Sequence, residues 1–286
     1  MDNKLLILPF DHRSSFLNEI VSSSNNPKKR VKEMKEMIFE SFLFAIEDKN
    51  KDDFAILVDE EYGSKILKKS KKIGIKICLP IEKSGQKELD LEFKDKFEEH
   101  INKFSPDYVK ILIRYNPINK ETNKRQLKVL SQVNNFCNKN RYKVILELLV
   151  PPTKEESSIK NYDDDLRYQK TLKSIKEIKN KIKVNVWKLE GFKEEQWKNI
   201  ISSINKSSKI VFLGRGESKK KVSEWMINAS KFKEIIGFAV GRTIFLKPLK
   251  EFEEGKISKE KAIKKIKNNF NFFINLWTST KKNTNQ

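Results

Sequence analysis

Residues 184–191 read V-N-V-W-K-L-E-G, an apolar run of strand length with a lysine near its centre. With a side-chain period of two, Val184, Val186, Lys188 and Glu190 share one face, and Asn185, Trp187 and Leu189 share the other. An ammonium group inside a buried strand must be paired, shifted in pKa or in use. The alternative is an edge strand that shows Lys188 to solvent, since lysine is rarely buried. The surrounding chain decides between the two.

Apolar, β-branched-rich runs of strand length recur at 4–10, 54–59, 75–81, 108–113, 143–150, 184–190, 209–213 and 235–240. Helical periodicity fills the intervals, at 31–48, 64–72, 91–103, 124–140, 166–181, 194–205 and 219–232. Strand alternating with helix eight times is the pattern of a parallel (β/α)8 TIM barrel of the α/β class, closed here by a final helix at 258–277. A doubly wound open sheet alternates in the same way, but the first strand is not followed by G-x-G-x-x-G. No Pro/Ser-rich linker interrupts the pattern, so one barrel domain is expected over 1–278, with a polar tail at 279–286 that frays. Pro151 and Pro152 stop the fifth strand. The loop that follows, 153–165, is either a solvated connection ending in an Asp cap or a lid over the barrel mouth.

The formal charge of +21 invites a nucleic-acid reading, but lysines are spread along the whole chain among 39 acidic residues, with no Arg-rich arm or basic block. Cys78 and Cys137 lie in separate apolar runs and form no disulfide framework, which fits a reducing cytoplasm. The N-terminal apolar run ends before Asp11, too short for a signal or a membrane span. The two histidines, His12 and His100, stand in no metal-ligand spacing with the cysteines, so no metal site is expected.

In a barrel, chemistry belongs at the C-terminal ends of the strands. Of only eight arginines, four follow strands directly: Arg13, Arg114, Arg215 and Arg242. In a lysine-dominated chain this points to the planar five-donor fork that suits phosphate or carboxylate; ordinary surface ion pairs are the plain alternative. Glycine shows the same bias. L-G-R-G (Gly214, Arg215, Gly216) and V-G-R-T (Gly241, Arg242) follow strands seven and eight, where barrels commonly hold a phosphate on backbone N–H groups. Tight turns alone would also account for them.

Inward-facing polar residues complete the set. Asp11 shares a face with Ile7 and Pro9, and Arg114 shares one with Lys110 and Leu112. Lys110, Glu147, Lys188 and Glu190 then converge on one cavity from strands four, five and six. Two neighbouring lysines depress each other's pKa, and a free amine beside a carboxylate suits Schiff-base chemistry; a structural ion-pair network is the competing account.

F-D-H-R-S-S-F (10–16), V-D-E-E-Y-G (58–63), P-I-E-K-S-G-Q (80–86), V-K-I-L-I-R-Y-N-P (109–117), E-L-L-V-P (147–151), W-K-L-E-G (187–191), L-G-R-G (213–216) and G-F-A-V-G-R-T-I-F (237–245) together resemble the 2-deoxy-5-keto-gluconate 6-phosphate aldolase family of myo-inositol catabolism, distantly similar to tagatose-bisphosphate aldolases. The resemblance implies a metal-independent, cofactor-free class I aldolase that yields dihydroxyacetone phosphate and malonic semialdehyde. It maps the Schiff base to Lys188, acid/base work to Glu147, a supporting lysine to Lys110, and phosphate contacts to Gly241 and Arg242. Arg215 is expected to join them, with Arg13, Arg114 or Lys83 taking the substrate carboxylate. One departure is at position 94, where relatives have glycine and this chain has lysine. The expected partner is a small phosphosugar, with neither nucleic acid nor membrane; self-association is left open. The competing functions are an aldolase for another phosphosugar, tagatose-bisphosphate-like or a sulfo-sugar phosphate, and a non-catalytic basic RNA-binding barrel.

Overall fold

A computed structural model describes residues 4–20 and 25–282. Its strands form where the apolar runs lie: β1 (Leu5–Pro9), β2 (Phe54–Leu57), β3 (Lys76–Pro80), β4 (Tyr108–Arg114), β5 (Lys143–Leu149), β6 (Val186–Glu190), β7 (Lys209–Leu213) and β8 (Ile235–Ala239). They pair in parallel in sequence order, and β8 closes on β1 to complete a (β/α)8 barrel. Because helices cover one face of a barrel strand and the barrel interior the other, both faces must be apolar, which is why β1 and β2 are buried along their whole length. Alternate residues divide between two layers. Ile7, Leu57, Cys78, Ile145, Val186 and Val211 fill the interior, while Leu8, Ile56, Leu146 and Trp187 pack under the helices. Closure depends on Gly237, where a Cβ would sit 2.0 Å from the carbonyl oxygen of Leu5.

The helices are α1 (Ser14–Glu19), α2 (Pro27–Ala45), α3 (Glu60–Lys72), α4 (Phe97–Phe104), α5 (Lys120–Lys139), α6 (Arg167–Lys179), α7 (Glu194–Ser203), α8 (Lys219–Ser230), α9 (Arg242–Glu253) and α10 (Lys259–Lys282). Phe42 of α2 stacks on Phe270 of α10, and Trp277 packs against Phe212 and Phe238, so the last helix seals the seam between the end of the chain and its start.

Three local expectations need correction. Strand six starts at Val186; Val184 packs in the outer layer because Asn185 is held by Val144, accepting its N–H on Oδ1 and donating its own N–H to the Val144 carbonyl. Between β8 and the final helix the chain forms α9, whose buried Ile244, Phe245, Pro248 and Leu249 share one face. The segment from 91 enters α-helix only at Phe97, after a 3-10 turn at Lys94–Lys96, because Leu91 bridges back to Glu82. Finally, 279–282 continue α10, where the Ser279 and Thr280 hydroxyls donate to carbonyls of the preceding turn; 283–286 lie outside the described residues. Among the described residues no helix is long and apolar enough to cross a membrane.

Candidate active site

The registers of β4, β5 and β6 bring the polar residues together. Glu147 stands directly opposite Lys188 across the β5–β6 pair, and opposite Leu112 across the β4–β5 pair. Lys110 lies one inward position before Leu112, close enough for its long side chain to reach the same point. The result is a chain of contacts at the C-terminal mouth of the barrel. Lys188 Nζ donates to Glu147 Oε2 at 2.8 Å, and Lys110 Nζ lies 2.9 Å from the same oxygen. Lys110 also reaches Asp11 Oδ2 at 3.0 Å and a Glu82 carboxylate oxygen. Lys188, Lys110 and Glu147 are all buried, and they line a cavity of about 430 Å³ with Asp11, Arg114 and Arg242.

This clustering sets the protonation states. Burial alone would raise the pKa of Glu147, but Lys110 and Lys188 outweigh it and bring the carboxyl down to about 2. Asp11 is likewise held well below its usual range, with Lys110, His12 and Lys188 outweighing burial. Lys110 moves the other way: Asp11, Glu147 and Glu82 overcome the burial penalty and hold its ammonium well above the ordinary value. Its charge is thus offset by three carboxylates, and Glu147 stands between the two ammonium groups. Lys110 is therefore not depressed as the sequence reading expected. Burial pushes His12, also on the cavity wall, down to about 4, leaving it neutral at pH 7.

Glu190 does not converge with the other three. It is buried in a separate network, with Arg167 Nη1 at 3.4 Å and Arg215 Nε at 3.1 Å, and Arg215 also reaches Asp163 Oδ1 at 2.9 Å. Arg167, the first residue of α6, was not singled out in sequence because its partner is 23 positions away. The Arg215 guanidinium is thereby turned to Glu190 and Asp163 and does not line the cavity. Asp163 ties the 153–165 loop to the loop after β7. Tyr162 donates to the Val150 carbonyl, and Glu156 accepts from Asn116 and Lys170, so the loop is anchored at both ends.

The glycine signal has a geometric cause. Arg215 and Gly216 are both left-handed, at φ 57° and 82°. A Cβ on Gly216 would lie 3.0 Å from the Arg242 guanidinium, and one on Gly241 would lie 2.3 Å from the Pro9 carbonyl oxygen. Gly241 therefore lets α9 begin hard against β1, and Arg242 lies across the bare backbone of Gly216 while donating to the Arg215 carbonyl at 2.9 Å. At the start of α9 the Ile244 N–H donates to the Gly241 carbonyl at 2.7 Å, and the positive end of the helix dipole lies beside Arg242. Gly214 packs under Val240 and Val222.

The remaining candidates differ in how they are engaged. Arg13 is buried, donating to Glu92 Oε2 at 2.7 Å and to the Glu82 carbonyl at 2.6 Å, so it pins the loop after β1 to the loop after β3. Arg114 lines the cavity and donates once, to the Gln86 carbonyl at 2.7 Å. Lys83 also lines the cavity and pairs with Asp90. Glu82 was missed. It lies two residues after β3, in the same motif that drew attention to Lys83, and its position at a strand end was the available signal. Lys94, near where the resemblance leads one to expect glycine, is left-handed at φ 44°. Among the described residues no group of three metal-ligating side chains is present. Cys78 and Cys137 are buried free thiols, and burial raises the pKa of both.

Solved structures share this fold at low sequence identity. A fructose-bisphosphate aldolase from Plasmodium falciparum, solved with TRAP and a small-molecule inhibitor, superposes with a TM-score of 0.71 at 12% identity, covering 96% of this chain and 90% of the other. An archaeal fructose-1,6-bisphosphate aldolase with its catalytic lysine covalently bound to the carbinolamine intermediate gives 0.60 at 9% identity, over 96% and 94%. A Schiff-base-forming fructose-1,6-bisphosphate aldolase studied through its reaction intermediates gives 0.57 at 10%, over 95% and 94%. No curated protein matches the chain in sequence. The model of one family, described as "uncharacterized protein conserved in bacteria (DUF2090)", matches residues 1–281, and the chain belongs to that family.

Proposed function

We propose that the chain is a class I aldolase that cleaves a phosphorylated keto-sugar acid, 2-deoxy-5-keto-gluconate 6-phosphate, to dihydroxyacetone phosphate and malonic semialdehyde. One observation carries this: a buried lysine and a buried carboxylate, Lys188 and Glu147, meet at 2.8 Å on adjacent strands at the catalytic end of the barrel. A Schiff-base-forming aldolase and an aldolase bound to its carbinolamine intermediate through the catalytic lysine share the fold, and the sequence motifs resemble the keto-gluconate phosphate family.

Lys188 condenses with the C5 ketone, releasing water and leaving a protonated iminium. Glu147, ionised throughout the neutral range, takes the proton of the C3 hydroxyl as the C3–C4 bond breaks. The C3 carbon leaves as the aldehyde of malonic semialdehyde, and the bonding pair moves onto C4 to give a neutral enamine. This coupling is favourable: Glu147 loses a cationic neighbour at the moment it takes up the proton, so its basicity rises when it is needed. Protonation at C4 and hydrolysis then release dihydroxyacetone phosphate and restore the amine. Lys110 stays charged and holds Glu147, Asp11 and Glu82 in place.

Arg242 and the N-terminus of α9 take the 6-phosphate, with Gly241 and Gly216 giving it room. Arg215 acts from behind, through the carbonyl that Arg242 grips. Of the three carboxylate candidates, Arg114 has the most unengaged donors toward the cavity. Arg13 is committed to Glu92 and the Glu82 carbonyl, and Lys83 to Asp90.

Borohydride added during turnover is expected to fix the three-carbon product onto a single lysine, and peptide mapping to place the added mass at Lys188. Lys188→Ala and Lys188→Arg should both abolish trapping and turnover while the fold is retained, because a guanidinium cannot form the imine. Active protein that traps at no lysine would overturn the Schiff-base mechanism; trapping at Lys110 would exchange the two lysines' roles. A panel of phosphorylated ketoses with and without a carboxylate decides the substrate.

A further inference from the structure

Glu82 takes no part in the bond changes above beyond its pairing with Lys110, yet its environment is that of a ligand contact. It is only 6% exposed. Its backbone is held on both sides, by a bridge to Leu91 and by Arg13 donating to its carbonyl, and one carboxylate oxygen accepts from Lys110. The other oxygen, Oε2, is buried without a hydrogen-bond partner on a residue that lines the cavity. A buried carboxylate oxygen left unpaired is costly, and fixed backbone and ion-pair contacts prevent it from turning away. Among the described residues, eight buried side-chain polar atoms lack partners, and three of them belong to residues lining this one cavity: His12, Arg13 and Glu82.

The charge balance of the wall says which donor suits Oε2. Six basic side chains line the cavity against four acidic ones, so a cationic ligand is disfavoured and an anionic one is drawn in. The anionic groups of such a ligand belong near Arg242 and Arg114 and would be repelled by Glu82. A group that meets Oε2 must therefore be a neutral donor on an otherwise anionic molecule, which describes a hydroxyl of a sugar phosphate.

We infer that Glu82 is a specificity-determining residue whose Oε2 accepts a hydrogen bond from a non-reacting hydroxyl of the substrate, the one on the carbon next to the ketone that becomes the free hydroxyl of dihydroxyacetone phosphate. This rests on the aldolase reading of the cavity and adds to it a preference for hydroxylated over deoxygenated three-carbon units.

The test compares borohydride trapping on Lys188 by dihydroxyacetone phosphate and by hydroxyacetone phosphate, which lacks only that hydroxyl. Wild-type protein should half-saturate at about 10- to 100-fold lower concentration of the hydroxylated compound, the range expected for a hydrogen bond to a charged acceptor. Glu82→Gln, which is isosteric but uncharged, and Glu82→Asp, which withdraws the oxygen by one methylene, should both lose most of that preference. A merely structural role would weaken trapping of the two compounds equally and leave their ratio unchanged, and an unchanged ratio in either variant overturns the inference while the aldolase reading stands. Absence of trapping by either compound in wild-type protein defeats the aldolase reading and this inference with it.

Discussion

Replacing Glu147 by Gln keeps the shape of the side chain and removes its charge, so it separates what the carboxylate does for stability from what it does for chemistry. Glu147 lies between Lys110 Nζ at 2.9 Å and Lys188 Nζ at 2.8 Å. Its pKa falls from 4.5 to about 2 on folding. At roughly 1.4 kcal/mol per tenfold change in proton affinity, the ionised form stabilises the native state by about 3 kcal/mol relative to the neutral form. Because the folded pKa is the lower one, this contribution is fully present above about pH 4.5 and is lost as pH falls through about 2. Glutamine imitates the protonated form at every pH. The variant should therefore be about 3 kcal/mol less stable than wild type at pH 7, with the gap closing as pH falls from about 5 toward 2. Urea unfolding followed by far-UV circular dichroism across that interval measures the gap directly. Turnover at pH 7 should fall by about 10²- to 10⁴-fold, the usual loss on removing a positioned general base. A stability gap that does not change with pH would refute the charge arrangement described for the site, and full activity in the variant would refute the role of Glu147 as base.

Two further outcomes are expected. Arg242→Lys should raise the KM for the phosphorylated substrate by about 10- to 100-fold, because a point charge replaces a fork that lies across Gly216, while Arg215→Lys should raise it less since Glu190 and Asp163 already hold that side chain; steady-state kinetics on both variants checks the order, and equal or absent effects would place the phosphate elsewhere. Lys94→Gly should raise stability by about 0.5–1 kcal/mol by relieving a left-handed non-glycine residue, and thermal unfolding with no gain would show that the exposed turn carries no strain.

The fold was legible in the sequence because a parallel barrel buries both faces of every strand, so its strands stand out as apolar runs separated by helical periods. The inward positions of Lys110, Glu147 and Lys188 were legible for a related reason: period-two alternation assigns a strand residue to a face whatever its partner strand is. The glycines of 213–216 and 240–243 were legible as backbone requirements. What alternation cannot supply is the level at which side chains from different strands meet, since that depends on register and on reach across the barrel. Lys110 was therefore expected to act on Lys188, whereas three carboxylates surround it and Glu147 lies between. Glu190 and Arg215 likewise bear the right charge in the right region, but Arg167 and Asp163, brought in from α6 and the loop before it, hold them in a network of their own. Arg13 and Arg114 look alike in sequence and both line the cavity; only tertiary structure commits Arg13 to Glu92 and the Glu82 carbonyl and ties Arg114 to the Gln86 carbonyl. Periodicity is a property of the local chain and can be read along it, while pairing is a property of space, decided when residues 41 or 99 positions apart are brought within 3 Å.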